Sequence, residues 1–203
     1  MNETDPNIVE EPTASEYNKI YTYSDYLKFE YDYMVELIRG RIFKMSPAPK
    51  NAHQEISGNI YGHIWSFLKG SPCKVYSAPF DVVLPVRNEK KDTATTVIQP
   101  DICIICDQSK LNEAGCLGAP DLVIEILSKS TSKKDLNDKY SIYEETGVTE
   151  YWIVMPNERL VEVFHLQEGS YQRITTYTET EMISPVIFPD LVIELIDIFP
   201  KEN

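Results

Sequence analysis

Positive charge is what this sequence has least of. Nineteen lysines and arginines stand against 32 aspartates and glutamates, a formal net charge of −13. That balance argues against a surface that attracts nucleic acid everywhere, because phosphate contacts supply most of such affinity. It leaves room for a local basic groove. Long apolar runs are also missing. None reaches the ~18 residues that cross a bilayer, so no membrane partner is expected. The opening segment, Met1 to Glu16, is acidic and polar. It reads as a flexible tail over 1–15 and not as a signal peptide. Cysteine is scarce: Cys73, Cys103, Cys106 and Cys116. Cys103 and Cys106 form a C-x-x-C, yet the run 102–106 reads as a buried strand, where residues three apart point to opposite faces. Two such thiols do not converge on zinc. Reduced core cysteines in a cytoplasmic protein are therefore expected.

The remaining composition is that of a globular chain, with 42% hydrophobic residues over 203 positions. A chain of this length buries roughly 70% of the surface it would expose unfolded, enough to fold without a disulfide or structural metal. One domain is expected over 16–203. Thr22 and Ser24 offer caps for a short helix around Tyr26 and Leu27. The segment 34–45 reads as a hairpin about Arg39-Gly40, and Ser46-Pro47-Ala48-Pro49 breaks the pattern. From His53 to Leu68, Ile56, Ile60, Ile64 and Phe67, joined by Trp65 and Leu68, recur at helical spacing. Segments 75–86, 97–106 and 119–127 read as strands, the last two apolar enough to be covered on both faces. The stretch 107–118 reads as a polar loop with room for a short helix. A helix over 132–146 stops at Gly147. Strands follow at 151–155, 160–166 and near 171–177, with one or two short ones in 186–199. The class is α/β or α+β, an αβββαβ core on a mixed central sheet with extra N- and C-terminal β strands. Pro120-Asp121-Leu122-Val123-Ile124-Glu125 recurs as Pro189-Asp190-Leu191-Val192-Ile193-Glu194. No helix follows the second copy, which reads as a decoy of similar burial.

Carboxylates inside apolar strands are costly unless they are paired or bind metal. Asp101 opens the apolar run 102–106, and Glu125 stands among aliphatic neighbours. If their strands are hairpin neighbours, the two acids share a face and suit Mg²⁺, which takes one or two carboxylates and keeps several waters. On the next helix Leu136, Lys139, Tyr140 and Tyr143 define an inward stripe, which places Lys139 on the packing face. There it could orient a water or stabilise charge on a phosphate. Asp121, four residues before Glu125 on the same strand face, fits a turn role or a site role equally. Lys129, Lys133 and Lys134 form a basic spot before the helix that could meet a phosphate backbone.

Pro100-Asp101, then Glu125 on an apolar strand followed by a helix, resembles the PD-(D/E)XK nuclease superfamily. More closely, the chain resembles the Uma family of restriction-endonuclease-like proteins, a domain of unknown function. The matching stretches are Glu36-Leu37-Ile38-Arg39-Gly40, Met45-Ser46-Pro47 leading to His53, Gln99-Pro100-Asp101, Ala119 to Ser128, Ser130-Thr131, Asp135-Leu136, Lys139 and Gly147 to Trp152. The resemblance implies a restriction-endonuclease-like core and hydrolysis of DNA phosphodiester bonds with Mg²⁺ or Mn²⁺. It assigns Asp101 and Glu125 as metal ligands and catalytic residues. The E-x-K lysine would fall at Leu127, so Lys139 stands as its replacement from the helix. His53 joins as a catalytic candidate, with Glu55, Glu36 and Asp81 as supporting polar positions. DNA bound through a local basic groove is the expected partner, and a homodimer, through strand edges near 159–177, the expected assembly. Two rivals stay open: a catalytically silent binding or scaffold protein on a nuclease fold, and a small-molecule phosphodiesterase.

Overall fold

The computed structural model describes residues 19–45, 51–128 and 133–200. The expected tail, the Ser46–Pro49 break and the side chains of Lys129, Lys133 and Lys134 lie outside the described residues. Thr22 and Asp25 cap each other across a one-turn helix, α1 (Tyr23–Tyr26), an arrangement that satisfies two backbone donors at once. The hairpin follows as β1 (Val35–Ile38) and β2 (Arg41–Lys44). Arg39 and Gly40 both have positive φ, 49° and 78°, as a two-residue type I′ turn requires. Next comes α2 (Asn51–Phe67). Ile56, Ile60, Ile64 and the following Leu68 form its buried stripe at four-residue steps. Trp65 and Phe67, expected on that stripe, fall off its line and are exposed.

Two expected strands are each divided by a proline. Segment 75–86 becomes β3 (Lys74–Ser77) and β4 (Val82–Val83) on either side of Pro79. Segment 97–106 becomes β5 (Val97–Ile98) and β6 (Ile102–Ile105) on either side of Pro100. Proline has no N–H to give a ladder, and at both places the chain leaves one sheet and enters another. The polar loop holds a 3₁₀ turn at Gln108–Lys110 and a small hairpin, β7 (Leu111–Asn112) and β8 (Gly115–Leu117). Then come β9 (Leu122–Ile126), α3 (Lys133–Thr146) ending at Gly147, and β10 (Glu150–Met155). The chain continues through β11 (Leu160–Gln167), β12 (Ser170–Thr178), β13 (Met182–Ile183) and β14 (Ile193–Glu194).

The first sheet runs β2-β1-β5-β4-β8-β7 and the second β12-β11-β10-β9-β6-β3. Each is mixed, with one parallel pair, β4–β8 in the first and β9–β10 in the second. Strands β9 and β10 are covered on both faces. Ile102, Ile124 and Trp152 pack with the α2 stripe, whereas Cys103, Val123 and Tyr151 pack with α3 and the first sheet. The repeated hexapeptide does not have similar burial in its two copies. All of β9 is buried, but in the second copy only Leu191 and Ile193 are, with Val192 and Glu194 exposed. That copy belongs to a two-stranded surface ribbon, which leaves alternate side chains to water. Among the described residues no helix is long and apolar enough to cross a membrane.

The expectation of four reduced thiols is overturned. Cys73 and Cys106 are joined in a disulfide, and only Cys103 and Cys116 are free, both buried. Lys74 pairs with Ile105 across β3 and β6, so one further step of the register sets Cys73 beside Cys106. The C-x-x-C spacing compares Cys106 with the wrong neighbour. Alkylating the unfolded chain without reductant is expected to label Cys103 and Cys116 alone; four labelled thiols would contradict the bond. The bridge spans a sequence separation of 33, for which chain entropy gives about 4 kcal/mol. A Cys73→Ser, Cys106→Ser double variant should lose stability on that order in urea unfolding.

Candidate active site

Antiparallel β6 and β9 pair Ile102 with Ile124. One more step of that register sets Asp101 opposite Glu125, and opposed residues of an antiparallel pair project to the same face. Asp101 is fixed from two sides. Its Oδ2 accepts from Ile126 N at 2.7 Å, one residue past Glu125, and lies 3.2 Å from His53 Nε2 on α2. Glu125 is fixed through its other neighbours. Its Oε1 accepts from Lys139 Nζ at 3.0 Å and from the Tyr143 hydroxyl at 2.7 Å. Lys139 also lies 3.1 Å from Glu36 Oε1, and that same oxygen accepts from Gln99 N at 2.9 Å. One cluster thus draws Glu36 from β1, Gln99 and Asp101 from either side of Pro100, Glu125 from β9, and Lys139 and Tyr143 from α3. Arg39, in the β1–β2 turn, clamps α3 over it through Glu145 at 2.8 Å.

The site is dry enough to reshape its own acidity. Burial pushes the Glu125 carboxyl up to about 7, with Lys139 opposing and Asp101 and Glu36 reinforcing the rise. Burial disfavours the Lys139 ammonium, but Glu125 and Glu36 outweigh it and hold the amine above the ordinary lysine range. Burial, and then the Glu125 charge, hold the Tyr143 hydroxyl protonated. The hydrogen bond to Asp101 raises His53. Three acids, Glu36, Asp101 and Glu125, gather around one ammonium at a largely buried spot, the electrostatics of a cation site.

The donors suit a hard divalent ion. Asp101 uses Oδ2 and Glu125 uses Oε1 in the bonds above, and the second oxygen of each lies outside them. Among the described residues no group of three or more His, Cys, Asp or Glu is placed to hold a metal. Two carboxylates with water completing the shell are sufficient for Mg²⁺.

Of the residues singled out from the sequence, the structure brings together Asp101, Glu125, Lys139, His53 and Glu36. Glu55 is exposed on α2. Asp81 lies beside Gln99 and outside the cluster. Asp121 accepts from Cys106 N at 2.7 Å, a strand-end bond. Tyr143 and Gln99 were missed as site residues. Tyr143 had a signal, since it lies one helical turn beyond Lys139 on the same stripe. Gln99 enters only as part of the matching stretch Gln99-Pro100-Asp101, and its contact with Glu36 is made by backbone, which side-chain chemistry does not reveal.

The chain has the fold of a restriction-endonuclease-like nuclease. Its structure matches, at a TM-score of 0.70, the crystal structure of "a putative nuclease belonging to DUF820" from Anabaena variabilis, covering 88% of this chain and 97% of that one at 22% identity. The chain belongs to the Uma2 family, described as "Putative restriction endonuclease", whose profile matches residues 16–197. It is also similar to the uncharacterized protein slr1290 of Synechocystis sp., 24% identical over 149 residues, 73% of this chain and 74% of that protein.

Proposed function

We propose that this chain is a divalent-metal-dependent endodeoxyribonuclease in which Asp101 and Glu125 hold Mg²⁺ or Mn²⁺. The observation that carries the reading is the facing of these two carboxylates on adjacent strands, with the Lys139 ammonium beside Glu125. A bound ion would polarise the scissile phosphate and acidify an attacking water. The chain's own residues prepare the place. His53 and the Ile126 amide hold Asp101 in one orientation; Tyr143 and Lys139 do the same for Glu125. Lys139 supplies the positive charge that a crowded phosphate needs in this acidic setting. His53, its basicity raised by Asp101, is a second group in this set, beside Glu125, suited to exchanging a proton. Three lysines, Lys129, Lys133 and Lys134, precede or open the helix that carries Lys139, a basic stretch suited to a DNA backbone in an otherwise acidic chain.

The test is incubation with single-stranded, double-stranded and branched DNA in Mg²⁺, in Mn²⁺ and in EDTA, beside Asp101→Ala and Glu125→Ala. Cutting that needs the ion and vanishes in both variants is expected. Ion binding with no cutting of any substrate would leave a nuclease-fold binding or scaffold protein. Calorimetry gives an independent check. With the Glu125 carboxyl near 7, Mg²⁺ loading at pH 6 should release up to about one proton, and loading at pH 9 almost none. Equal proton release at both pH values would remove Glu125 from the ion's ligands.

A further inference from the structure

Gln99 has two sides. Its backbone N–H serves Glu36 in the site, while its side chain lines a separate cleft of about 470 Å³. The cleft runs between Tyr76, Pro79, Phe80 and Asp81 on one wall and the β7–β8 turn, through Gly115, on the other. The second wall is seated backbone to backbone. Cys116 N donates to Asp81 O at 2.9 Å, and a Cβ on Gly115 would stand 2.1 Å from that same oxygen, so only glycine lets the hairpin come this close.

The charged groups that line this cleft are carboxylates. Asp81 Oδ1 accepts from the Tyr26 hydroxyl at 3.0 Å and from Gln99 Nε2 at 2.8 Å. That bond fixes the amide: the nitrogen faces Asp81, and the oxygen is turned elsewhere. Gln99 is only 8% exposed, and its Oε1 has no hydrogen-bond partner. That oxygen is closed to solvent, so within the cleft the acceptor is the Asp81 carboxylate. Asp81 Oδ2 lies outside the bonds just named. The lining includes two acids, Asp81 and Glu113, and no lysine, arginine or histidine. It therefore disfavours a phosphate and favours a ligand that brings N–H groups. The same lining offers a flat face, for Tyr76 and Phe80 lie stacked with ring centroids 4.2 Å apart and planes within 10°. Flatness together with N–H donors, one residue from a nuclease site, describes a nucleobase more closely than an aliphatic amine.

We propose that this cleft receives one unpaired nucleobase bearing an exocyclic amino group, stacked on the Tyr76–Phe80 face with its amino donor directed to the Asp81 carboxylate. The inference rests on the nuclease reading and deepens it. Cytosine, adenine and guanine carry the amino donor and thymine does not, so the cleft ranks bases. A base can enter such a pocket only when it is out of the duplex stack. The substrate then has an unpaired position next to the bond cut.

The test is fluorescence anisotropy of labelled oligodeoxycytidine and oligothymidine strands of equal length, titrated with the full chain in EDTA at fixed salt. The two strands carry the same charge, so phosphate contacts cancel in the comparison. Deoxycytidine is expected to bind about tenfold more tightly. Asp81→Asn keeps an acceptor for Tyr26 and Gln99 but turns the second oxygen into a donor, and it should shrink the preference below about twofold or reverse it. Tyr76→Leu should weaken both strands by about fivefold or more and keep the preference. A merely structural role for either residue would not move base preference and overall affinity apart in this way. Equal binding of the two strands by the wild type, or an unchanged preference in Asp81→Asn, would overturn the proposal. Cleavage without base preference removes the cleft and keeps the nuclease. Base preference without cleavage does the reverse.

Discussion

Replacing Lys139 with methionine is expected to lower the midpoint of thermal unfolding at pH 8 by about 10 °C and to abolish metal-dependent cutting. The ammonium lies 3.0 Å from Glu125 and 3.1 Å from Glu36, and the three side chains are 15%, 10% and 10% exposed. Methionine keeps most of the volume and removes the charge. Two buried carboxylates would then face each other, with Asp101 close by and no cation. Breaking a buried ion pair from one side costs about 3–5 kcal/mol, and in a domain of this size each kcal/mol moves the midpoint by about 2–4 °C. The loss should shrink at pH 5, because Glu125, raised by burial and no longer opposed by Lys139, takes up a proton and relieves the repulsion. Differential scanning fluorimetry at the two pH values reads this directly. A midpoint at pH 8 within about 3 °C of wild type would show that Lys139 is not the counterion of this cluster.

Glu125→Gln should act in the opposite direction on stability and the same direction on activity. Burial raises the wild-type carboxyl from 4.5 to about 7, so the folded chain holds that proton more firmly than the unfolded one. The resulting stabilisation is complete below pH 4.5 and is lost as pH rises through 7. A displacement of this size corresponds to about 3 kcal/mol. Glutamine retains an acceptor for Tyr143 and Lys139 and carries no charge to bury. The variant should therefore resist urea better than wild type at pH 8, by an amount on the order of 2–3 kcal/mol, and match it at pH 4. Cutting should fall by at least about a hundredfold, since the ion loses a ligand. Mg²⁺ should stabilise the wild type and leave the variant nearly unmoved, because only a folded state that binds the ion is stabilised by it. A variant less stable than wild type at pH 8 would mean that attraction to Lys139 outweighs the cost of burying Glu125.

Asp101, Glu125 and Lys139 were legible in the sequence for one physical reason: a charge inside an apolar pattern must have a partner. The capped α1, the β1–β2 turn and the stop at Gly147 were legible too, because each depends on local backbone chemistry. What could not be read were contacts set by register between distant segments. Cys73 meets Cys106 only because β3 and β6 align as they do. Glu36 sits in a short apolar strand and stands among the supporting positions, but nothing local tells that it reaches Lys139 more than a hundred positions away. The prolines at 79 and 100 stand within segments that read as single strands, and the sequence does not tell that the chain changes sheets there. The repeated hexapeptide makes the same point from the other side, since identical letters are wholly buried at 122–125 and half exposed at 191–194.

The division of the strands at Pro79 and Pro100 has a consequence for how the carboxylate–lysine cluster is assembled. Glu36 rides on one sheet and Glu125 on the other, and the bolt between them, Lys139, comes from a helix laid across the join. A half-assembled molecule, with either sheet formed alone, holds only part of the reactive cluster. The complete cluster therefore exists only where both sheets and the helix across their join are in place.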